Sequence, residues 1–164
     1  MDANIENRCG LESLESERKK MVLLDTDHLS ILEWQDSPAA LQIQARMEQH
    51  SPEEVGTSIV NFEEKMRGWM AFLANARKIK EQIEVYRRLN QQLRLFRSIS
   101  FILEFDENAA VEFQRLKKDH PRLGTMDLKI AAIALVHHAT LVSRNERDFR
   151  QIPGLDLEDW TKIR

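Results

Sequence analysis

The feature that most constrains this fold is the alternation of short apolar runs with longer segments of helical spacing. Four runs have the length of buried strands, at residues 21–24, 54–60, 100–105 and 139–143. Each is followed by apolar residues that recur every three or four positions, as they do on one face of a helix. The alternation predicts an α/β fold, a three-layer α/β/α sandwich with a central parallel sheet. A short last strand is predicted at residues 155–157.

Two long segments of helical spacing follow one another directly, the first beginning with Asn61 as its cap and the second running from Lys78 to Ser98. Their adjacency predicts an extended helical hairpin. The second helix is basic, because seven arginines and lysines between residues 77 and 97 outnumber two glutamates and give a local net charge of +5. Such a surface suits contact with a polyanion, although a solvated helix face is the simpler explanation.

The composition places these elements in one domain. The 164 residues, 42% of them hydrophobic, suffice for a single core, which we assign to residues 21–164 behind a flexible polar tail, residues 1–20. Cys9 is the only cysteine, so no internal disulfide can form. No apolar stretch approaches the length of a membrane span, and the N-terminus lacks the apolar core of a secretory signal. The sequence therefore predicts a cytoplasmic protein without a membrane partner.

Acidic residues recur where the predicted strands end. Asp25 follows the first strand, Glu64 lies early in the helix after the second, and Asp148 follows the fourth, while Asp127 opens the helix before the fourth. Ligands of open parallel sheets bind beyond the carboxyl ends of the strands, so these carboxylates are predicted to meet at one edge. Gathered carboxylates repel one another, and Mg²⁺ or Mn²⁺ relieves that repulsion. The pattern predicts a metal site suited to phosphodiester hydrolysis.

Each acid also has a purely structural explanation when it is considered alone. Asp25 could be a turn residue, and Glu64 could be a first-turn acid that interacts with the helix dipole. Asp127 could cap its helix, and Asp148 could form an ion pair with a neighbouring arginine. The recurrence of all four at one edge of one predicted sheet favours the metal site.

Four segments resemble the motifs of PIN domains. Val22-Leu23-Leu24-Asp25-Thr26-Asp27 is similar to the opening motif, an apolar strand followed by Asp-Thr-Asn or Asp-Thr-Asp. Residues 58–68, SIVNFEEKMRG, resemble the second motif, in which an acid stands four residues before a glycine. Residues 125–135, TMDLKIAAIAL, resemble the third. Residues 141–149, LVSRNERDF, with the later segments IPGL and EDW, resemble the C-terminal motif of VapC-type toxins, so the resemblance covers about residues 21–160.

The resemblance implies a PIN-like sandwich with the activity of a Mg²⁺- or Mn²⁺-dependent endoribonuclease, the toxin component of a toxin–antitoxin module that a cognate antitoxin holds inactive. It also implies a homodimer, which the apolar stripe of the hairpin would permit. One departure is Asn61-Phe62, where the family has Thr and a small aliphatic residue. The matching positions assign catalytic and metal-binding roles to Asp25, Glu64, Asp127 and Asp148, with Asn145 and Ser143 assisting.

The resulting hypothesis is that the acids hold one or two divalent ions and that Glu64 orients or deprotonates the attacking water, or ligates a second ion. Basic side chains would neutralise RNA phosphates, namely Lys78, Arg87, Arg88, Arg94, Arg144 and Arg147. Two other interpretations stay open at this point. One is a PIN-like module that has lost catalysis and serves in binding or regulation. The other is a flavodoxin-like or response-regulator domain, which also places acids at strand ends but usually has a Gly-rich phosphate loop that this sequence lacks.

Overall fold

Five parallel strands form one sheet in the order β3-β2-β1-β4-β5. The computed structural model describes residues 21–34 and 36–162, so the predicted tail, residues 1–20, lies outside the described part of the chain. The strands are β1 (Val22–Leu24), β2 (Val55–Ser58), β3 (Ile102–Leu103), β4 (Thr140–Val142) and β5 (Leu157–Glu158). The helices found in the described residues are α1 (Thr26–Leu32), α2 (Pro38–Met47), α3 (Ile59–Asn75), α4 (Ile79–Ser98), α5 (Glu107–Asp119), α6 (Thr125–Val136) and α7 (Glu146–Phe149).

The strand order creates a crevice beside β1, the central strand. Val22 of β1 pairs with Val55 of β2 on one side and with Thr140 of β4 on the other. The chain builds the sheet outward from β1 through β2 to β3, and then returns to add β4 and β5 on the opposite side. The winding direction therefore reverses between β1 and β4, where open parallel sheets bind their ligands beyond the carboxyl ends of the strands. Asp25, the residue after β1, lies at this position.

Alternate residues of the central strands enter two separate cores, which makes the molecule three-layered. Leu23 of β1 and Leu141 of β4 belong to a core with α5 and with α6, whose buried alanines let the helix approach the sheet closely. Val22 and Val142 point the other way, into a core that α1, α2 and α4 complete. This alternation is the period of a strand buried on both faces. The predicted α/β/α sandwich is confirmed.

The predicted end of the second strand is wrong. We predicted a strand over residues 54–60 with Asn61 as the helix cap, but β2 ends at Ser58 and α3 begins at Ile59. The hydroxyl of Ser58 accepts a hydrogen bond from the backbone N–H of Asn61, and the side chain of Asn61 in turn accepts one from the backbone N–H of Ser58. This reciprocal capping box starts the helix earlier than the β-branched pair Ile59-Val60 suggests.

The long helices α3 and α4 form the predicted hairpin. Phe62 of α3 and Phe96 of α4 meet edge to face, with their ring centroids 5.0 Å apart, and hold the two helices together near the sheet. Farther out, Met70 and Phe72 of α3 are exposed. Neither helix of the hairpin, nor any other helix in the described part of the chain, combines the length and apolar character needed to cross a membrane.

Trp160 fastens the C-terminal segment to the core. The indole is almost fully buried and donates a hydrogen bond of 2.8 Å from Nε1 to Oε2 of Glu158. Its ring stacks on His50 with the centroids 5.4 Å apart, and the guanidinium of Arg46 lies 5.6 Å from the ring centroid. Arg46 also donates a hydrogen bond of 2.7 Å to Glu158. The strand β5 is therefore held against α2 by one connected set of contacts.

Replacing Trp160 with alanine is expected to lower the free energy of unfolding by about 3–5 kcal/mol, because a buried indole is deleted and a cavity remains. Chemical denaturation followed by circular dichroism measures this loss. Trp160→Phe keeps most of the packing and removes the N–H donor, so it is expected to cost only about 1 kcal/mol. Equal losses for the two variants would show that the ring does not provide the main part of the stabilisation.

Candidate functional site

The four predicted acids lie on four different elements around the crevice at the carboxyl ends of β1 and β4. Asp25 caps α1 directly after β1, and Glu64 lies in the second turn of α3. Asp127 lies in the first turn of α6, and Asp148 in α7 just after β4. Asp25 interacts electrostatically with Glu64, and Asp127 interacts with both Glu64 and Asp148. Glu64 therefore links the acids into one cluster.

The structural explanations that the sequence left open for three of these acids do not hold. Glu64 is the sixth residue of α3 and lies beyond its first turn. The N-cap of α6 is Gly124, not Asp127. Asp148 has no ion pair among the described residues, whereas its neighbour Arg150 pairs with Glu146 at 2.8 Å. Asp25 does cap α1, accepting a hydrogen bond of 2.7 Å from the backbone N–H of Thr26, but its carboxylate also contacts distant elements.

The pKa of Asp25 is raised from 3.8 to about 6, chiefly by burial and to a lesser extent by the nearby carboxylates of Asp27 and Glu64. Hydrogen bonds oppose this effect, chiefly the one that the Ser143 hydroxyl donates to Oδ2 at 2.6 Å. Oδ1 accepts from the backbone N–H of Thr26 and, at 2.8 Å, from Nδ2 of Asn61. The structure thus holds a buried carboxylate in a fixed orientation although burial disfavours its charge.

Asp127 is the least supported carboxylate of the cluster. Its pKa is raised from 3.8 to about 6, first by burial and then by repulsion from Glu64 and Asp148. None of the described residues donates a hydrogen bond to it. A Cβ at position 124 would lie 2.8 Å from its Oδ2, so glycine at that position leaves room for the carboxylate. An acid with raised pKa, no internal donor and acidic neighbours is suited to a cationic ligand.

Asn61 organises the cluster, a role that the sequence did not reveal. The side chain is fully buried and its Nδ2 donates to Oδ1 of Asp25 at 2.8 Å and to Oγ1 of Thr26 at 3.0 Å. Oγ1 of Thr26 donates in turn to Oε2 of Glu64 at 2.5 Å. The hydroxyl of Ser58 donates to Oδ1 of Asn61, which fixes the orientation of the amide. One amide therefore sets the positions of two acids, and the capping-box spacing of Ser58 and Asn61 was the available signal.

The two predicted assisting residues lie in contact with the acids. Ser143 follows β4, is fully buried, and donates to Asp25 while accepting a hydrogen bond of 3.0 Å from the backbone N–H of Asn145. Nδ2 of Asn145 donates to Oδ2 of Asp148 at 3.3 Å. The turn after β4 therefore donates hydrogen bonds to two of the acids, Asp25 and Asp148. Their participation in a reaction stays a prediction.

Asp27 and His28 connect the crevice to the C-terminal segment, which the sequence did not predict. Asp27 accepts a hydrogen bond of 2.7 Å from Nδ1 of the fully buried His28, and its other oxygen accepts one of 2.8 Å from the backbone N–H of Arg144. Nε2 of His28 accepts from the backbone N–H of Trp160 at 3.2 Å. Both oxygens of Asp27 are thus engaged by the protein, as both oxygens of Asp25 also are, which distinguishes these two acids from Glu64, Asp127 and Asp148.

The predicted basic residues divide into two groups. Arg144, in the turn after β4, and Arg147, in α7, are exposed beside the acids. Lys78 caps the N-terminus of α4, and Arg87, Arg88 and Arg94 lie along that helix. Glu84 accepts hydrogen bonds from Arg87 at 2.8 Å and from Arg88 at 2.9 Å.

The carboxylate oxygens of the cluster are suitable ligands for a hard divalent cation. A carboxylate has about four acceptor positions, and the protein fills three of them on Asp25, one on Glu64 and one on Asp148. Oxygen atoms with remaining lone pairs are the ligands that Mg²⁺ and Mn²⁺ prefer. Within residues 21–34 and 36–162, no three acidic, His or Cys side chains converge closely enough to form a complete ligand set. The arrangement is therefore an acid cluster of suitable chemistry and not a closed metal cage.

Replacing Asn61 with leucine is expected to weaken Mn²⁺ binding by the cluster about 10–100-fold, because groups that orient metal ligands have effects of this size. Isothermal titration calorimetry at neutral pH measures the affinity without any activity assay. Asn61→Thr retains one hydroxyl donor toward Asp25 and is expected to lose less. Unchanged Mn²⁺ affinity in a folded Asn61→Leu protein would contradict a positioning role for this amide.

Residues 22–155 match the family model of the PIN domain. Among curated proteins, ribonuclease VapC2 of Rickettsia felis is 33% identical over 75 residues, which make up 43% of this chain and 56% of that protein. The tRNA(fMet)-specific endonuclease VapC of Salmonella typhimurium is 33% identical over 63 residues, 36% of this chain and 48% of that protein. The chain thus spans about half the length of the curated relatives it matches.

Solved structures share the fold over most of the chain. VapBC2 from Rickettsia felis, bound to a DNA fragment from its promoter, superimposes with a TM-score of 0.65 at 21% identity and covers 85% of this chain and 98% of the matched chain. FitAcB from Neisseria gonorrhoeae superimposes with a TM-score of 0.64 at 26% identity, covering 87% of this chain and all of the matched one (100%). The parallel sheet with its flanking helices is therefore an architecture that these proteins have in common.

Proposed function

Because the chain belongs to the PIN domain family, we propose that it is a metal-dependent endoribonuclease, the toxin component of a toxin–antitoxin module. The observation that carries this proposal is the electrostatic interaction of Glu64 with Asp25 and Asp127, and of Asp127 with Asp148, at the carboxyl ends of the central strands. Ligand binding in an α/β sheet is expected at this position. The names of the curated relatives, a ribonuclease and a tRNA-specific endonuclease, support hydrolysis of RNA.

The proposed cofactor is Mg²⁺ or Mn²⁺, held by the carboxylates of Asp25, Asp127 and Asp148 with Glu64 beside them. A bound divalent ion would supply charge stabilisation for the phosphate and a more acidic water. The protein's own contribution is orientation. Ser143 and Asn61 donate hydrogen bonds to the two oxygens of the Asp25 carboxylate, and Asn145 donates one to Asp148.

Glu64 is proposed to orient the attacking water or to accept its proton. Thr26 engages Oε2 of Glu64, and no described residue engages Oε1, so one carboxylate oxygen can face the crevice and contact water or a second ion. Arg144 and Arg147, exposed at the same edge, are proposed to contact the phosphates of the bound RNA, which would position the chain without reading its sequence. Contact between RNA and the α4 residues Lys78, Arg87, Arg88 and Arg94 stays a prediction.

A cognate antitoxin and a second copy of the chain are the proposed protein partners. The structural relatives include VapBC from Salmonella typhimurium and a toxin–antitoxin complex from Klebsiella pneumoniae, which supports the antitoxin. We propose that the protein acts in the cytoplasm, where both RNA and such a partner would be met.

The experiment that tests this function is incubation of the purified, antitoxin-free protein with total cellular RNA in the presence of Mg²⁺, Mn²⁺ or EDTA. We expect discrete cleavage products with either ion, none with EDTA, and none from Asp25→Ala with either ion. Folded protein that cleaves no RNA with either ion would instead favour a PIN-like binding module without catalysis.

A further inference from the structure

His28 is a fully buried histidine for which the proposed reaction has no direct use. It lies in α1, and both of its ring nitrogens are engaged. Nε2 lies 3.2 Å from the backbone nitrogen of Trp160, whose N–H can only donate, so Nε2 accepts and carries no proton. The ring proton of the neutral imidazole then lies on Nδ1, 2.7 Å from Oδ1 of Asp27. The backbone of Trp160 therefore selects the tautomer in which His28 donates to Asp27.

Asp159 lies near His28 but does not form a hydrogen bond with it. Its Oδ1 is 3.6 Å from Nε2 of the imidazole, which is too long for such a bond. The same oxygen accepts hydrogen bonds from the backbone N–H and the hydroxyl of Thr161, at 2.9 and 2.6 Å. The carboxylate of Asp159 is thus held within its own turn, which leaves Nε2 to the N–H of Trp160. The C-terminal segment therefore orients the imidazole through a backbone hydrogen bond.

The other oxygen of Asp27 holds the turn after β4. Oδ2 accepts a hydrogen bond of 2.8 Å from the backbone N–H of Arg144. The residues on either side, Ser143 and Asn145, donate from their side chains to two acids of the cluster. The Asp27 side chain is 31% exposed, so water would compete for its oxygens if the His28 donor did not hold one of them. Asp27 therefore holds the middle of a turn whose two ends orient proposed metal ligands.

We propose that His28 and Asp27 are positioning residues of the acid cluster, and that they make the docked C-terminal segment a working part of the site. The backbone of Trp160 orients the imidazole, the imidazole holds the Asp27 carboxylate, and that carboxylate fixes the turn that supports two of the acids. We call this chain of hydrogen bonds the His28 relay. The inference rests on the proposed function, because it assigns the relay to the same cluster. Neither residue touches the metal or the RNA, so both act through other groups.

A purely structural role for His28 makes a different prediction, since a buried histidine can serve only to fasten the C-terminal segment. In that case the hydrogen bond from Trp160 contributes to stability, and the hydrogen bond to Asp27 has no separate consequence for the site. The two bonds leave from different nitrogens of the ring. Variants that keep one bond each therefore distinguish positioning from fastening.

Two amide variants of His28 each keep one of its hydrogen bonds. The amide of Asn reaches the position of Nδ1, so His28→Asn keeps a donor to Asp27 and loses the acceptor for Trp160. The longer Gln reaches the position of Nε2, so His28→Gln keeps that acceptor and loses the donor. Isothermal titration calorimetry should show Mn²⁺ affinity about tenfold lower in His28→Gln and within about twofold of the original in His28→Asn, since groups that orient metal ligands have effects of at least tenfold. Single-turnover RNA cleavage should follow the same order. His137→Gln, at the opposite end of α6 from Asp127, is the matched control and should change neither.

NMR spectra of the full chain test the His28 relay without any RNA. In the unmodified protein the ring nitrogens of His28 should show the Nδ1-protonated tautomer at neutral pH. The amide signal of Arg144 should shift in His28→Gln, and that of Trp160 in His28→Asn. Asp27→Asn, at a partly exposed site, provides a second variant if the His28 variants do not fold. Its one amide oxygen faces two donors, so Mn²⁺ affinity is expected to fall about tenfold here as well.

Three results would overturn the proposal. They are a proton on Nε2 of His28, Mn²⁺ affinity that both His28→Gln and Asp27→Asn leave unchanged, and equal losses of affinity in the two His28 variants that match their losses of thermal stability. The third result would assign His28 to fastening of the C-terminal segment alone. Failure of the proposed function looks different, because the unmodified protein would then bind no Mn²⁺ or cleave no RNA. The NMR measurements would still decide whether the His28 relay holds the turn.

Discussion

Asp127→Asn is expected to abolish RNA cleavage while it leaves the fold intact or slightly more stable. The substitution removes one carboxylate from the cluster and preserves the shape of the side chain. A metal ligand contributes several kcal/mol of transition-state stabilisation, so we expect the cleavage rate to fall about 10³-fold, which corresponds to about 4 kcal/mol. Single-turnover cleavage of an RNA identified from the cellular pool measures the rate, and thermal unfolding measures stability.

Asp127 is the most informative of the four acids because the described residues donate no hydrogen bond to it. Asn at position 127 therefore breaks no internal contact, and it removes the repulsion from Glu64 and Asp148 that raises the pKa of Asp127. Asp25→Asn would be harder to interpret, since Thr26, Asn61 and Ser143 all donate to that carboxylate and an amide N–H would face one of those donors. Asp119→Asn, on the surface at the end of α5, is the matched control and should cleave normally. Wild-type activity in Asp127→Asn would contradict a role for this residue in the site.

The second large effect is expected on the unfolding temperature, which should respond to Mn²⁺ in a way that depends on pH. Mn²⁺ should raise the unfolding temperature of the protein at about pH 7.5 by about 5 °C or more and should have little effect at about pH 5. The pKa of Asp25 is 3.8 in the unfolded chain and about 6 in the folded one, and that of Asp127 is raised in the same direction. Between pH 3.8 and 6 the folded state holds more protons than the unfolded state. The free energy of unfolding of the metal-free protein therefore falls as pH rises through this window and stays low above it.

For the buried Asp25, the raised pKa lowers the free energy of unfolding by about 3 kcal/mol at neutral pH. A divalent cation offsets the repulsion only where the acids are ionised, which explains why its stabilising effect depends on pH. Differential scanning fluorimetry with EDTA and with Mn²⁺ at the two pH values checks the prediction. The Asp127→Asn variant should show a smaller Mn²⁺ effect at pH 7.5 than the original protein. An equal Mn²⁺ effect at both pH values would mean that the ion binds somewhere other than the raised-pKa acids.

The alternation of apolar runs and helices was sufficient to predict the parallel sheet, the three layers and the hairpin, because these follow from period and order along the chain. It also predicted that Asp25, Glu64, Asp127 and Asp148 lie near one edge, because Asp25 and Asp148 follow strands, Asp127 lies in the first turn of its helix and Glu64 in the second turn of its own. Their role as a metal site stays a prediction. The boundary of β2 was mispredicted because Ile59 and Val60 have high strand propensity, whereas the Ser58 capping box begins the helix before them.

Contacts between distant segments could not be read from the sequence. The bond from Asn61 to Asp25 joins residues 36 positions apart, and that from Trp160 to His28 joins residues 132 apart. In neither pair does the sequence around one residue indicate which distant residue it will contact. The division of the basic residues, by contrast, follows from the sequence, since Arg144 and Arg147 come after the fourth predicted strand, near the acids, whereas Lys78, Arg87, Arg88 and Arg94 belong to the second helix of the hairpin.

The measurement that tests the acid cluster most directly is anomalous diffraction from crystals grown with Mn²⁺ at about pH 7.5, where the carboxylates are ionised. We expect an anomalous peak in the crevice after β1 and β4, bonded to carboxylate oxygens of Asp25 and Asp127 with Asp148 or Glu64 completing the set at about 2.0–2.2 Å. The peak should be absent from crystals of Asp127→Asn. Mn²⁺ bound elsewhere, or no peak in crystals whose dissolved protein cleaves RNA with Mn²⁺, would contradict the assignment of these four acids as the metal site.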